Sequence, residues 1–163
     1  MSEVKNKKKK SSIIQISIGV LAVILAILII IMMGIVSDIQ GTARIVNYTG
    51  LVRGETQRLI KLELSMRQEN EMIHEIRTFI DGLRNGNDEL NLVRLDDVDF
   101  QNKMQELDDK FSDLYKKIHL VRFKGAKNTD IIPESEEFFV ICDEATGLAE
   151  KYSQKKATSL SLL

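Results

Sequence analysis

The chain has 163 residues, enough for one domain and an anchor, and its formal net charge is −1 at pH 7. With one Pro, no Trp, 6% aromatic residues and 29% charged residues, the composition favours long helices over a β-sandwich. Five lysines crowd the amino terminus and the remainder of the chain is acidic, so the basic folded face that a nucleic-acid partner needs is not expected. The single cysteine, Cys142, excludes a disulfide within one chain.

The first predicted element is a transmembrane helix over residues 13–36. No charged residue occurs between Ser11 and Ser37, and about 20 apolar residues are enough to cross a hydrocarbon core of about 30 Å. A cleaved signal peptide is the alternative. Its apolar core usually has about 7–15 residues and is followed by a cleavage site of small residues, and neither feature fits this segment well.

The basic segment before this helix, residues 1–12, predicts the orientation of the chain in the membrane. It contains five lysines, and lysines next to a span stay on the cytoplasmic side, where they also attract anionic lipid. We therefore expect a cell-membrane protein with one span in this sequence, a cytoplasmic amino terminus, lipid as a partner, and an extracytoplasmic domain over residues 37–158.

After the span, the apolar pattern predicts one helix that continues to the turn at Asn85-Gly86-Asn87, because no earlier proline or strong turn signal interrupts it. Alternating steps of three and four residues meet apolar side chains at all but two glutamates. The stripe consists of Ile45, Tyr48, Val52, Glu55, Leu59, Leu62, Met66, Glu69, Ile73, Ile76, Ile80 and Leu83.

Two further long helices are predicted. The second begins near the N-cap candidates Asp96, Asp97 and Asp99 and ends at Gly125. Its apolar residues follow the same spacing without exception: Phe100, Met104, Leu107, Phe111, Leu114, Ile118 and Val121. The third has Pro133 in its first turn. The predicted fold is all-α: a transmembrane helix that continues into an extracytoplasmic antiparallel bundle of three long helices, with room for a short fourth helix in a linker. Residues 159–163 resemble the approach to a second transmembrane helix that this sequence does not contain.

A second heptad stripe places polar residues on a predicted helix seam. It runs through Ile39, Ala43, Val46, Gly50, Arg53, Gln57, Ile60 and Leu64. A guanidinium group on a buried seam costs several kcal/mol unless a partner supplies charge and hydrogen-bond acceptors, so a small anion would suit Arg53. The structural alternative is an internal ion pair with Glu55 or Glu63, or a side chain that reaches solvent.

Residues 43–62 resemble the first extracytoplasmic helix of a bacterial sensor family. That family includes the amino-terminal domain of the type IV pilus methyl-accepting chemotaxis transducer and the nitrate and nitrite sensor kinases. Its motif is occupied here by Asn47, Gly50, Arg53, Gln57 and Arg58. Residues 90–100, 135–139 and 149–153 also resemble the sensory halves of membrane-bound diguanylate cyclases and histidine kinases of anaerobic Gram-positive bacteria.

The resemblance implies a homodimer that forms through the first helix and binds a small anion between the two copies of Arg53. Asn47, Gly50, Gln57 and Arg58 are then the other candidate ligand-binding residues. Residues 54–56, Gly-Glu-Thr, differ from the nitrate-sensor pattern, so the identity of the anion stays open. The family continues into a second span and a cytoplasmic output region of the kinase, cyclase or chemoreceptor type, and this sequence contains neither.

No other pattern in the sequence predicts a site. His74 and His119 lie on different predicted helices without a second ligand at i+3 or i+4, so we expect no metal and no cofactor. Phosphate-binding loops and nucleophile–base sets are also missing, so we do not expect an enzyme. Two functional hypotheses remain: the sensor domain of a transmembrane signal-transduction protein without its output domain, or a membrane-anchored coiled-coil scaffold that binds no small molecule.

Overall fold

The computed structural model describes the backbone of residues 2–161 and the side chains of residues 14–127 and 129–158, so the predictions on the lysine cluster and on residues 159–163 concern side chains outside these ranges. Within them the chain forms four α-helices and no strand, which confirms the predicted all-α class. The helices are α1, Ser2–Leu64; α2, Asn70–Asn85; α3, Val98–Lys124; and α4, Ile131–Ser161, with a 3₁₀ turn at Ala126–Asn128.

The chain divides into two compact units, with the boundary between Asp38 and Ile39. In the first unit, every residue from Ile14 to Gly34 is exposed although nearly all are apolar. Among the described residues, α1 contains a stretch that is long and apolar enough to cross a membrane. This property agrees with the predicted span.

The second unit is an antiparallel four-helix bundle in which each helix packs against the next and α4 returns to α1. Arg84 on α2 pairs with Asp108 on α3, whereas Arg77 lies 4.7 Å from the ring centre of Tyr115, so α2 and α3 run in opposite directions. The contacts that join the remaining neighbours are the edge-to-face rings of Tyr48 and Phe79, the rings of Phe111 and Phe138, and the hydroxyl groups of Thr49 and Thr146.

The core of the bundle follows the predicted apolar stripes. On α3 the stripe of apolar residues spaced by three and four is buried without exception. It consists of Phe100, Met104, Leu107, Phe111, Leu114, Ile118 and Val121. The predicted helix ends are also confirmed, because Asp97 caps α3 by accepting a hydrogen bond from Phe100 N at 2.9 Å and Gly125 follows its last turn with φ 81°.

The prediction of an unbroken helix to Asn85 is wrong, because α1 ends at Leu64 and α2 runs back along it. Met66 adopts a left-handed conformation with φ 63°. Its N–H donates to the carbonyl of Glu63 at 3.0 Å, and the N–H of Arg67 donates to that of Leu62 at 2.9 Å. These two bonds form a Schellman motif, which normally has glycine where Met66 stands. The apolar spacing continues across this break because α1 and α2 face the same core, so the sequence pattern does not indicate where α1 ends.

The carboxylate of Glu63 connects three helices at this turn through hydrogen bonds. Its Oε2 accepts from Arg122 Nε at 2.8 Å, its Oε1 accepts from Arg122 Nη2 and from Glu69 N at 3.2 Å, and Arg122 Nη1 donates to Asn70 Oδ1 at 2.7 Å. Glu63 is only 2% exposed, and its hydrogen bond raises the pKa of Arg122. One buried ion pair therefore ties the end of α1, the start of α2 and the end of α3.

The opposite end of the bundle is closed by the loop between α2 and α3. Asn87 and Leu92 exchange two backbone hydrogen bonds of 2.8 Å, which brings the side chains of Leu92 and Leu95 into the core. A Cβ atom on Gly41 would lie 3.2 Å from a methyl group of Val93, so this loop packs closely on α1. The loop thus covers the core next to Gly41, near the start of the part of α1 that belongs to the bundle.

The left-handed turn predicts a stabilising substitution. Met66 is 82% exposed and contributes little to the core, whereas a residue with a Cβ pays a cost of about 1 kcal/mol for its positive φ. Met66→Gly should therefore raise the free energy of unfolding by up to about 1 kcal/mol, measured by urea denaturation. The matched control is Gln68→Gly in the same turn, where φ is not positive. Equal effects of the two substitutions would contradict the prediction.

The buried ion pair predicts that loss of Arg122 strongly destabilises the fold and that a second substitution at Glu63 restores most of the stability. Arg122→Met leaves the Glu63 carboxylate buried without a counter-charge and should lower the free energy of unfolding by about 3 kcal/mol or more. The double variant with Glu63→Leu should recover most of this loss because no unpaired charge is left. Chemical denaturation of the single and double variants measures both effects, and additive losses would argue against coupling of these two residues.

Candidate functional site

The candidate site lies on the half of α1 that belongs to the bundle. One face of this segment is buried, and Asn47, Gly50 and Gln57 lie on the other, exposed face. The buried face consists of Thr42, Ile45, Thr49, Val52, Thr56, Leu59, Ile60 and Glu63. A Cβ atom placed on Gly50 or Gly54 would meet nothing within 4 Å. The predicted seam is therefore largely uncovered in the single chain, and the helix that it is expected to face stays a prediction.

Arg53 lies at the edge between the two faces of α1, beside α4. Its Nε is 3.2 Å from Oδ1 of Asp143, and the side chains of Arg53 and Asp143 are 43% and 58% exposed. Nε itself is shielded from solvent but makes no aligned hydrogen bond. The two charges therefore form a partly solvated ion pair without good hydrogen-bond geometry, which is a weak interaction.

The partner of Arg53 differs from both carboxylates that the sequence suggested. Glu55 lies 3.7 Å from Arg58 one turn along the same helix, and Glu63 is engaged with Arg122. An internal ion pair at Arg53 was therefore an appropriate alternative, but Glu55 and Glu63 were the wrong partners. Asp143 was missed because it is 90 residues away on α4, and nothing in the local sequence fixes how α1 and α4 align.

The structure brings only some of the candidate residues together. Arg53 and Gln57 lie along the groove between α1 and α4, and Gln57 lines a cleft of about 460 Å³ in that groove. The rest of the lining is formed by Ile60, Lys61, Leu64, Ser65, Ile132, Ser135, Glu136 and Phe139. Gly50 leaves space on the exposed face, Asn47 is exposed there, and Arg58 is turned toward Glu55. Of the candidate residues, Gln57 therefore lines this cleft, Arg53 lies one turn away in the same groove, and Asn47, Gly50 and Arg58 lie outside the lining.

Buried threonines lie behind this groove. Thr42, Thr49 and Thr56 recur at seven-residue intervals on α1, and Glu63 continues the series. The hydroxyl oxygens of Thr49 and Thr146 are 3.1 Å apart, whereas the buried Oγ1 of Thr56 has no hydrogen-bond partner. A search for apolar stripes misses this column, although its strict heptad spacing is a usable signal. Among the described residues, no group of three His, Cys, Asp or Glu side chains is placed to hold a metal ion.

Cys142 is buried beside the Arg53 and Asp143 pair. Burial raises the pKa of the Cys142 thiol to about 12, the negative charge of Asp143 adds to the rise, and Arg53 opposes it. The thiol is therefore protonated at neutral pH and packs as a small apolar group.

The comparisons with known proteins identify a shared fold. No family model matches the chain, and no curated protein matches it. The structure is similar to that of the ligand-binding domain of the P. aeruginosa nitrate receptor McpN, with a TM-score of 0.60 and 15% sequence identity. The match covers 68% of this chain and 96% of that domain. The bundle thus has the fold of a receptor ligand-binding domain.

The environment of Cys142 predicts an unreactive thiol. A pKa near 12, against 9.0 for an ordinary cysteine, lowers the thiolate fraction about 1,000-fold at pH 8. Labelling of the folded protein with a disulfide reagent at pH 8 should be at least 100-fold slower than in urea. Because the thiol ionises more readily in the unfolded chain, its contribution to the stability of the fold is lost as the pH rises above about 9. Rapid native labelling would contradict the burial of this thiol.

Proposed function

We propose that the bundle is the extracytoplasmic ligand-sensing domain of a bacterial transmembrane signal-transduction protein, and that it binds a small anion through Arg53. The observation that carries the proposal is the fold, which matches 96% of the ligand-binding domain of a nitrate receptor. The placement of Arg53, half exposed on α1 and without aligned hydrogen bonds, supports the same function. Fold similarity is an analogy, so the assignment depends on the chemistry of this residue.

The binding site forms between two copies of the chain that associate through α1. Gly50 and Gly54 lack side chains on the exposed face, so the backbones of two helices can approach closely. An anion between the two Arg53 side chains offsets their repulsion and accepts hydrogen bonds from their planar guanidinium groups. Gln57, one turn further along the same edge, supplies an amide donor from each copy.

The ligand acts by favouring one packing of the two copies over another. It shifts this equilibrium only as far as its affinities for the two packings differ. In this proposal the segment 13–36 anchors the chain in the cell membrane with the amino terminus in the cytoplasm, and the change in packing is passed across the membrane to a kinase, cyclase or chemoreceptor output region. The chain itself performs no catalysis and uses no cofactor, metal or nucleic acid.

A second function, an anchored scaffold without a small-molecule ligand, is favoured by the ion pair between Arg53 and Asp143. That pair already gives the guanidinium group a counter-charge within the chain. If the helix face serves only association, Arg53→Met should keep the dimer and stabilise it, and no anion should change the melting temperature.

The sensing function predicts that binding depends on Arg53. Calorimetry on the full chain in lipid nanodiscs, against nitrate, nitrite and small carboxylates, should detect at least one ligand. Arg53→Ala should weaken it by about tenfold or more, since charge-assisted hydrogen bonds contribute about 1.5–3 kcal/mol each. Arg67→Ala is the matched control, because Arg67 is an exposed arginine in the turn after α1 that lies 3.7 Å from Glu69 and has no proposed contact with the ligand.

Binding that survives Arg53→Ala would refute the assigned role of this residue. A full panel without any binding or thermal shift, combined with an intact dimer, would instead establish the scaffold function.

A further inference from the structure

The carboxylate of Asp143 occupies the side of the Arg53 guanidinium group on which Nε lies, a position that an anion could also take. It is 3.2 Å from Arg53 Nε, on the neighbouring helix and in the same groove. We propose that a ligand binds Arg53 only by displacing Asp143, so that Asp143 is an internal competitor that sets the affinity of the site. This inference rests on the proposed function and identifies a residue that determines affinity beyond the ligand-binding set.

Charge and geometry explain why the ligand would replace Asp143 at Arg53. An anion placed against Arg53 without moving Asp143 would bring two negative charges within a few ångströms in a partly buried groove, where repulsion is poorly screened. Displacement of Asp143 is cheap, because its side chain is 58% exposed and Arg53 Nε makes no aligned hydrogen bond to it. The carboxylate can therefore turn to solvent when a better acceptor arrives.

Three nearby carboxylates pair with other cations. Glu55 lies next to Arg58, Glu63 is bound to Arg122, and Glu144, which follows Asp143, accepts from Lys103 at 2.7 Å. These pairings leave Asp143 as the carboxylate that pairs with Arg53 in the described part of the chain. In a dimer without ligand, Asp143 would also neutralise each Arg53, so the two helices could associate before the anion binds.

The test compares two substitutions that each remove one negative charge from adjacent positions. Asp143→Asn removes the competitor, whereas Glu144→Gln removes a carboxylate that faces Lys103 on α3. We expect the dissociation constant for sodium nitrate, or for the carboxylate that binds best, to fall by up to about fivefold in Asp143→Asn, the value of one exposed ion pair. It should stay within about twofold in Glu144→Gln. Both are measured by calorimetry on the full chain in nanodiscs at constant ionic strength.

The outcomes separate this inference from the proposed function. Binding by the wild type that is unchanged or weakened in Asp143→Asn would overturn the competitor role and leave the sensing function intact. Equal tightening in both variants would also overturn it, because the effect would then come from net charge. No binding by the wild type or by either variant would overturn the sensing function and the competitor role together.

Discussion

The buried ion pair between Glu63 and Arg122 is the constraint on which the arrangement of the bundle depends. A carboxylate that is 2% exposed must have its charge and lone pairs satisfied, and here Arg122 and the backbone N–H of Glu69 do so. This requirement fixes where α1 stops, where α2 starts and how far α3 extends. Apolar contacts alone would tolerate sliding of the helices, whereas this geometry permits one alignment.

The register of α4 against α1 determines what lies beside Arg53. Arg53 is ten residues before Glu63, which corresponds to about 15 Å along the helix. At the level of Arg53, the α4 residue beside it is Asp143, and one turn away Thr146 contacts Thr49. A shift of α4 by one residue would rotate Asp143 away from the groove by about 100°. The charge state of the candidate site is thus a consequence of helix register.

The sequence was informative where a local rule determines the structure. The stripe on α3, its Asp97 cap and the glycine after it all follow from spacing and capping chemistry. The break after Leu64 could not be predicted, because Met66 occupies a position that normally requires glycine and the energy that keeps it there comes from the packing of α2. The position of Arg53 in an apolar stripe is visible in the sequence, but its exposure and its partner depend on tertiary contacts that no local pattern encodes.

Because the thiol of Cys142 is buried, the folded protein is suited to cross-linking through a cysteine introduced elsewhere. Because the one native cysteine is buried and protonated, a cysteine introduced at an outward position of α1, such as Gly54, would be the only reactive thiol of the folded protein. A disulfide between two such chains would report directly on the distance between their helices. The proposed contact between copies can therefore be tested position by position without removing a residue from the core.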